Sequence, residues 1–347
     1  MISIIVPCRN ESAHIVRLLE CVRRQKWGGA QWEAIVADGM SDDGTRETLA
    51  RFASMDSRIT VIDNPERIVS TGLNRAIRAS RGDIVLRMDA HSEYAPDYVR
   101  QCVRVLEETG ADNVGGPART KARGLLGRAI AAAYHSPYST GGAKFHNDGY
   151  EGPTDTVVYG CWRKATLIAI GLFDEFLVRN QDDELNLRIV RAGGRLWQSP
   201  KIRSWYRPRN SLAALFRQYF QYGFWKVAVI LKHRLPASVR HLVPGAFVLA
   251  NFFFPLVLLG IVVAGAGGGA LFAKVWAVFT GLYFGASIVA SVLTPCPNGA
   301  QVRAVLPLVY ATYHFSYGLG FLAGAVYFAL AGRGAPEAPA AFTQLSR

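Results

Sequence analysis

The stretch "GDIVLRMDAHSEY" (residues 82–94) joins an apolar run to two chemically reactive side chains, Asp89 and His91. The run is typical of a buried strand. Residues two apart on a strand point to the same face, so this carboxylate and imidazole converge on one point. Burying either group without a partner is costly. The stretch therefore predicts a strand whose end either turns into solvent or holds a charged ligand.

Strand and helix signals alternate along about the first 90 residues. Such alternation predicts an α/β domain with a mostly parallel sheet and helices on both faces. Ligands bind beyond the carboxyl ends of the strands in sheets of this kind. That rule places Asn10, Glu11, Asp38 and Asp89 along one rim. The sequence contains neither G-x-G-x-x-G nor a P-loop motif, which excludes those two phosphate-binding fingerprints. The expected strands are "ISIIVPC", "WEAIVAD", "ITVID" and "GDIVLRMD".

Basic charge is concentrated in one belt of the chain. Residues 201–241 contain nine Lys and Arg and no acidic residue, whereas residues 1–200 contain 26 basic and 25 acidic residues. The belt borders long apolar runs, a position that suits anionic lipid headgroups and the positive-inside rule better than nucleic acid. We therefore expect membrane lipids, and no nucleic acid, among the partners.

Three apolar stretches follow the belt, and each reaches the length of about 20 residues that crosses a bilayer core. With the belt on the cytoplasmic side, residues 1–210 face the cytoplasm and the tail after the third span lies outside. The five cysteines contain no C-x-x-C pair, which indicates a reduced compartment without a zinc site or disulfide framework. The sequence predicts a multi-pass protein of the cytoplasmic (inner) membrane. Its expected parts are a catalytic domain (1–210), a basic amphipathic interfacial segment (211–241), three transmembrane helices (242–331) and a disordered tail (332–347).

Four blocks of the sequence resemble, in order, those of the family 2 glycosyltransferases: "IIVPCRNES", "VADGMSDDGT", "LRMDAHS" and "GLFDEFLVRNQDDELNLRIVRAGG". The blocks "DGMSDDGT", "MDAHSEY" and "QYFQYGFWK" are most similar to the succinoglycan-biosynthesis glucosyltransferase type, which also ends in membrane helices. The resemblance covers about residues 1–230. It implies a GT-A fold, a nucleotide-sugar donor, a divalent metal and inversion at the anomeric carbon.

The resemblance also implies donor-side roles at the rim of the sheet. Asp89 and His91 stand at the family's D-x-D position, here D-x-H, where a divalent cation would stabilise the leaving diphosphate. A carboxylate suits Mg²⁺, whereas an imidazole shifts the preference towards Mn²⁺. Asp38 is expected to contact the donor base, although it could instead cap its own turn, and Glu11 could cap the following helix. The expected donor-binding residues are Pro7, Asn10, Glu11, Asp38 and Asp89, and the expected metal ligands are Asp89 and His91.

The block "NQDDELNLR" (residues 180–188) contains the expected general base. In the family the block reads as an acid–Asp pair followed by Leu and Arg, and Leu185 and Arg188 fix that alignment here. Asp182 then stands at the catalytic aspartate, and Gln181 replaces the preceding acid. An inverting displacement needs one base to take the acceptor proton. Asp182 is the expected base and Asp183 the competitor, while both acids would also suit a helix start.

Acceptor-side residues are expected in two places. Trp162 could stack on a sugar or belong to the core. The aromatic and basic segment 215–235 has helical spacing and is expected to lie on the inner leaflet. Gln221 and Trp225 within it align with the family's Q-x-x-R-W block, with Phe224 where Arg is usual.

The favoured function is a membrane-bound inverting glycosyltransferase that makes exopolysaccharide or another surface glycan. It would add one sugar, with UDP-glucose as the expected donor, to a polyprenyl-diphosphate-linked oligosaccharide. A processive polysaccharide synthase is the alternative, against which the altered Q-x-x-R-W block and the three spans weigh. A catalytically inactive membrane scaffold is the alternative from another class, and the ordered acidic blocks argue against it.

Overall fold

The structure is a computed structural model that describes residues 1–236, 238–264, 269–296 and 299–331. The predicted disordered tail (332–347) therefore lies outside the described residues. The chain forms two compact units, Met1–Lys121 with Lys144–Arg207, and Ala122–Ala143 with Pro208–Arg347. The boundary near residue 207 is close to the expected one. Residues 122–143, by contrast, were expected in the catalytic domain and group with the C-terminal unit.

The first unit contains a mostly parallel sheet of eight strands, as the alternating pattern predicts. Its spatial order is β3-β2-β1-β4-β9-β6-β10-β8, and strands β5, β11 and β7 form a second, smaller sheet. Neighbours from β3 to β4 pair in parallel, whereas β9 is antiparallel to both of its neighbours. The strands are β1 (Ile2–Cys8), β2 (Trp32–Asp38), β3 (Ile59–Asp63), β4 (Ile84–Arg87), β5 (Glu93–Tyr94), β6 (Asn113–Gly116), β7 (Arg119–Thr120), β8 (Gly152–Pro153), β9 (Val158–Arg163), β10 (Leu196–Gln198) and β11 (Ser204–Tyr206).

Helices cover both faces of the large sheet. Ile4 and Val6 of β1 belong to one buried cluster and Ile5 to another, because successive strand residues point to opposite faces. A strand buried on both sides explains why β1 reads as a continuous apolar run. The helices of this unit are α1 (Ile15–Arg23), α2 (Thr45–Met55), α3 (Val69–Ala79), α4 (Tyr98–Thr109), α7 (Lys164–Ala169) and α8 (Gln181–Arg191).

The register of the sheet brings the carboxyl ends of three strands to one edge. Cys8 pairs with Asp38, and Ile5 pairs with Arg87, so β1, β2 and β4 end beside one another. The predicted rim of polar strand-end residues is therefore confirmed.

The second unit is helical. Its elements are α5 (Gly124–His135), α6 (Pro137–Thr140), α9 (Leu212–His233), α10 (Val243–Val263), α11 (Gly269–Leu293) and α12 (Ala300–Ala331). Three stretches are long and apolar enough to cross a membrane: Val239–Ile261, Gly269–Leu293 and Ala300–Ala331. They correspond to the three apolar stretches of the sequence. Residues 122–143 join this unit because the apolar face of α5 (Ala129, Ile130, Ala133) lies in one buried cluster with Leu306 and Tyr310.

Candidate active site

Asp89 is held by an arginine at the end of β4. The Arg87 guanidinium donates from Nε to Asp89 Oδ1 (2.7 Å) and from Nη2 to Oδ2 (2.9 Å). The Asp89 backbone N–H donates to the Tyr94 hydroxyl (2.6 Å). Only 14% of the Asp89 side chain is exposed. The strand end therefore does not turn into solvent, because a two-pronged ion pair fixes the carboxylate.

The same guanidinium reaches the expected base. Arg87 Nη1 donates to Asp182 Oδ1 (2.7 Å), across 95 residues of sequence. Arg87 is buried, whereas Asp182 is partly exposed, so removal of the acidic partners would leave the Arg87 charge buried. Arg87 thus joins two carboxylates, Asp89 and Asp182, that the sequence assigned to different steps of one reaction.

Asp182 has the electrostatics of a base that works near neutral pH. Burial raises the pKa of Asp182 to about 6, Asp89 and Asp183 add to the rise, and the charge of Arg87 opposes it. Protein atoms surround the Asp182 carboxyl group closely, but 39% of the Asp182 side chain is exposed to solvent. A general base works best when its pKa lies near the working pH and the incoming hydroxyl can reach it.

Two anchors explain why α8 presents Asp182 in this position. Leu185 is fully buried in the core. Arg188 donates to the backbone carbonyls of Ile170 and Leu172 and so pins the helix to the preceding loop. Leu185 and Arg188 are the residues that set the sequence alignment, so their role in this chain is structural.

His91 lies beside Glu11. His91 Nδ1 is 3.4 Å from Glu11 Oε1, and 45% of the His91 side chain is exposed. The Glu11 backbone carbonyl accepts from the Ile15 N–H at the start of α1. The Glu11 side chain lies beside His91 at the rim.

The donor set at the rim fits a metal that arrives with a diphosphate. Within the described ranges, no group of three or more His, Cys, Asp or Glu could hold a metal ion. Asp89 and His91 supply one carboxylate and one imidazole. Each carboxylate oxygen of Asp89 has a second lone pair beyond the one that meets Arg87. Mg²⁺ is commonly held by one or two carboxylates together with substrate phosphates.

Asp38 is enclosed by its own turn. It has no exposed surface. One oxygen accepts from the Ser41 hydroxyl (2.5 Å), and the other accepts from the Ser41 N–H (3.1 Å) and from Arg46 Nη1 (2.8 Å). The turn-capping alternative thus describes this conformation, in which a donor base has no access to Asp38.

The donor-side loop is tied to the turn after β2. Asn10, in a left-handed conformation (φ 52°), donates from Nδ2 to Asp42 Oδ1 (2.9 Å) and accepts from the Asp42 N–H (3.0 Å). Its own N–H donates to Ser41 Oγ (2.8 Å). Pro7 lies within β1, where it pairs with Ala37. These contacts hold the two loops together at the rim.

The expected acceptor residues are buried. Trp162 is 2% exposed and packs edge-to-face on Phe173 (6.1 Å) in the core, so its proposed sugar-stacking role has no support here. Gln221 and Trp225 belong to α9 of the second unit, where they are 0% and 2% exposed. Trp225 packs there against Phe328 (6.3 Å).

Arg87 is the site residue that sequence reasoning missed. It is the last residue of β4 and stands two positions before Asp89. A cation at the end of a buried strand requires an acidic partner, and that signal was present in the sequence. Tyr159 contacts the same part of the site. Its hydroxyl meets Ser92 Oγ (2.5 Å) in the loop that follows Asp89.

Comparison with known proteins identifies the relatives of this chain. Residues 3–162 match the family described as Glycosyl transferase family 2. The chain is 36% identical over 244 residues to succinoglycan biosynthesis protein ExoA of Rhizobium meliloti (strain 1021), which covers 70% of this chain and 73% of that relative. A second relative is the dolichyl N-acetyl-alpha-D-glucosaminyl phosphate 3-beta-D-2,3-diacetamido-2,3-dideoxy-beta-D-glucuronosyltransferase of Methanococcus voltae. It is 24% identical over 334 residues, which cover 94% of this chain and 97% of that relative.

A solved structure shares the fold. Mannosyltransferase PcManGT from Pyrobaculum calidifontis, in complex with GDP-Man and Mn²⁺, superimposes with a TM-score of 0.59 at 18% identity. The match covers 92% of this chain and 86% of that one. With the mostly parallel sheet and the sequence identity to ExoA, the conclusion is direct: the chain belongs to glycosyl transferase family 2.

Proposed function

We propose that this protein is a membrane-bound inverting glycosyltransferase. It moves one glucose from UDP-glucose onto a polyprenyl-diphosphate-linked oligosaccharide in the synthesis of an exopolysaccharide or another surface glycan. The observation that carries the proposal is the bridge from Asp89 through Arg87 to Asp182 (2.7 Å on either side). The bridge supports a site in which the carboxylate expected to bind the donor and the expected base are held by one guanidinium.

In the proposed reaction the acceptor hydroxyl oxygen attacks the anomeric carbon of the sugar. The bond from that carbon to the diphosphate breaks, and the nucleoside diphosphate leaves with the electron pair. Asp182 takes the hydroxyl proton. Its pKa of about 6 supports this role, because the carboxylate is mostly ionised at neutral pH yet basic enough to accept a proton.

Arg87 is a positioning residue in this proposal. Its guanidinium fork is rigid and planar, so a contact to Asp89 on one side fixes the direction of the contact to Asp182 on the other. Its charge also favours the ionised form of Asp182. The base is therefore held in its active charge state and in one orientation.

Asp89 and His91 would hold a divalent metal together with the donor diphosphate. Such an ion, Mn²⁺ or Mg²⁺, offsets the negative charge of the leaving group when bound. The exposed imidazole of His91 beside Glu11 supports this assignment, because it is open to a ligand at the same rim. Asn10 and its loop would line the donor side.

The lipid-linked acceptor and the location are supported by composition and by the relatives. The name of the Methanococcus voltae relative includes a dolichyl-linked phosphate substrate, and the Rhizobium meliloti relative is named for succinoglycan biosynthesis. Apolar helices long enough to cross a membrane keep the enzyme where a lipid-linked acceptor resides. The basic belt supports an inner-membrane location with a cytoplasmic catalytic domain.

Membranes that contain the protein, incubated with labelled UDP-glucose, UDP-galactose or GDP-mannose, test the proposal. We expect label from UDP-glucose in the lipid extract, and none from matched membranes with Asp182→Asn. Label from another donor would correct the sugar. Equal labelling with wild-type and Asp182→Asn membranes for every donor would contradict the proposed function.

A further inference from the structure

Two helices of the second unit, α9 and α12, lie side by side and parallel. Among all pairs of helices and strands in the described residues, α9 and α12 have the most extensive contact. The rings of Tyr219 and Tyr313 meet edge-to-face with centroids 4.3 Å apart. Further along both helices, the rings of Phe224 and Phe328 lie 5.2 Å apart. Because the residue numbers rise together on both helices, the two helices run in the same direction.

Glycines bring the two backbones into contact. A Cβ atom on Gly320 would lie 1.9 Å from the Phe220 carbonyl oxygen, and one on Gly223 would lie 2.0 Å from that of Tyr317. Gly324, one turn beyond Gly320, makes a similar approach. Small residues at such spacing let helices pack backbone to backbone in membranes. The pair is therefore tightly coupled, and α12 takes the same orientation to the bilayer as α9.

The sequence of α9 favours the membrane surface for both helices. Arg217 near the start of α9 is exposed and Lys232 near its end is partly exposed, whereas Lys226 between them is buried against protein. Charged side chains near the centre of a bilayer are costly. A helix with aromatic residues and several basic residues suits the headgroup region instead.

The contacts of α12 with the hairpin formed by α10 and α11 also favour a position of α12 at the membrane surface. α10 and α11 are antiparallel, with Phe247 against Tyr283 (4.4 Å). The hydroxyls of Tyr310 and Thr294, the residue directly after α11, are 2.6 Å apart, and about two turns later a Cβ on Gly318 would clash with the Pro244 carbonyl oxygen of α10. Within about two turns, α12 therefore passes from the end of α11 to the start of α10. Its axis runs across the hairpin and not along it.

The hairpin is more exposed than α12, although α12 also has exposed apolar residues, Leu308, Val326 and Leu330. Leu256 of α10 and Leu271 of α11 are each 68% exposed, as lipid-facing residues would be. α12 is the least apolar of the three candidate spans and has the largest buried share. The apolar surface of the hairpin has no protein cover at these positions, and a bilayer core would supply it.

We propose that α9 and α12 together lie in the headgroup region of the membrane, and that only the α10–α11 hairpin crosses it. Arg217 and Lys232 of α9 would meet lipid phosphates, and the apolar residues of α12 would enter the upper acyl region. The chain after Ala331 then lies on the same side of the membrane as the catalytic domain. Three crossing helices would put it on the opposite side.

Cysteine labelling of the full-length protein in intact cells tests this placement. A membrane-impermeant maleimide would be applied from outside to Leu330→Cys, whose native side chain is 84% exposed. The controls are Met55→Cys in the catalytic domain and Leu271→Cys at the start of α11, with the parent protein as baseline. We expect Leu271→Cys to label in intact cells, and Leu330→Cys and Met55→Cys to label only after the membrane is opened. Labelling of Leu330→Cys in intact cells would overturn the proposal.

A second measurement needs no substitution in the chain. Green fluorescent protein fused after Arg347 fluoresces only when it remains in the cytoplasm, whereas alkaline phosphatase is active only outside. We expect a fluorescent fusion and an inactive phosphatase fusion. The reverse pair of results would mean that α12 crosses the bilayer.

Discussion

Two aspartates of the first unit, one at the end of β2 and one at the start of α8, have opposite surroundings. Asp38 is fully buried, and its partners Ser41 and Arg46 are at most eight positions away. Asp182 is partly open, and its partner Arg87 is 95 positions away. A carboxylate that is satisfied by its own turn stabilises that turn. A carboxylate that is held by a distant cation and left open to solvent can meet a substrate.

The base assignment gives the largest expected effect. Asp182→Asn keeps the shape of the side chain but removes the proton acceptor, so sugar transfer should fall roughly 10²–10⁴-fold. Donor binding, measured by titration with the nucleotide sugar, should change little. Asp183→Asn is the matched control and should cost about tenfold or less. A mild Asp182→Asn beside an inactive Asp183→Asn would move the base to Asp183.

Arg87→Lys should give the next largest effect. Lysine keeps the positive charge but cannot make a planar fork to Asp89 and a third contact to Asp182. We expect kcat to fall about 10²-fold, because a base displaced by about 1 Å loses that order of rate. KM for the donor should change much less. A large rise in KM with kcat unchanged would show that Arg87 binds donor and does not position the base.

Asp38→Asn should act on stability. The amide replaces one acceptor oxygen with a donor that faces Ser41 and Arg46, which costs about 2 kcal/mol in the free energy of unfolding. Thermal unfolding in detergent should show a lower Tm, while kcat of the folded fraction stays near wild type. Loss of donor binding without loss of Tm would instead support the base-contact role predicted from sequence.

Asp43 gives the smallest expected effect. Burial opposes ionisation, but hydrogen bonds from Thr45 and Ser12 outweigh it and lower the pKa of Asp43 to about 2. Because the folded pKa is below the ordinary value, this contribution is present above about pH 4 and is lost as pH falls towards 2. Asp43→Asn should cost about 1 kcal/mol or less at neutral pH, since the side chain is exposed. The Tm difference between the wild type and Asp43→Asn should stay constant from about pH 4 to pH 7 and shrink as pH falls towards 2, and a difference that grew at low pH would contradict the sign.

The difference between the two regions also explains what could be predicted from the sequence. Strand periodicity predicted β1 to β4 and the shared rim, because those signals are local. The placement of Asp182 followed from Leu185 and Arg188, which anchor α8.

Long-range contacts were beyond local patterns. The link between Arg87 and Asp182 requires two segments 95 residues apart to meet. Burial of Trp162 depends on packing against Phe173 from another segment. The grouping of residues 122–143 with the helical unit likewise depends on a tertiary cluster with α12.

The pH dependence of kcat/KM for sugar transfer tests the central claim most directly. Asp182 acts in its ionised form, so the rate of the wild type should fall about tenfold per pH unit below about pH 6. Arg87→Gln removes the charge that lowers the pKa of Asp182 and should move this limb to higher pH. Arg46→Gln makes the same substitution beside Asp38 and should leave the limb unchanged. A wild-type limb below pH 5, or an equal shift in both variants, would contradict the assignment of Asp182 as a base poised by Arg87.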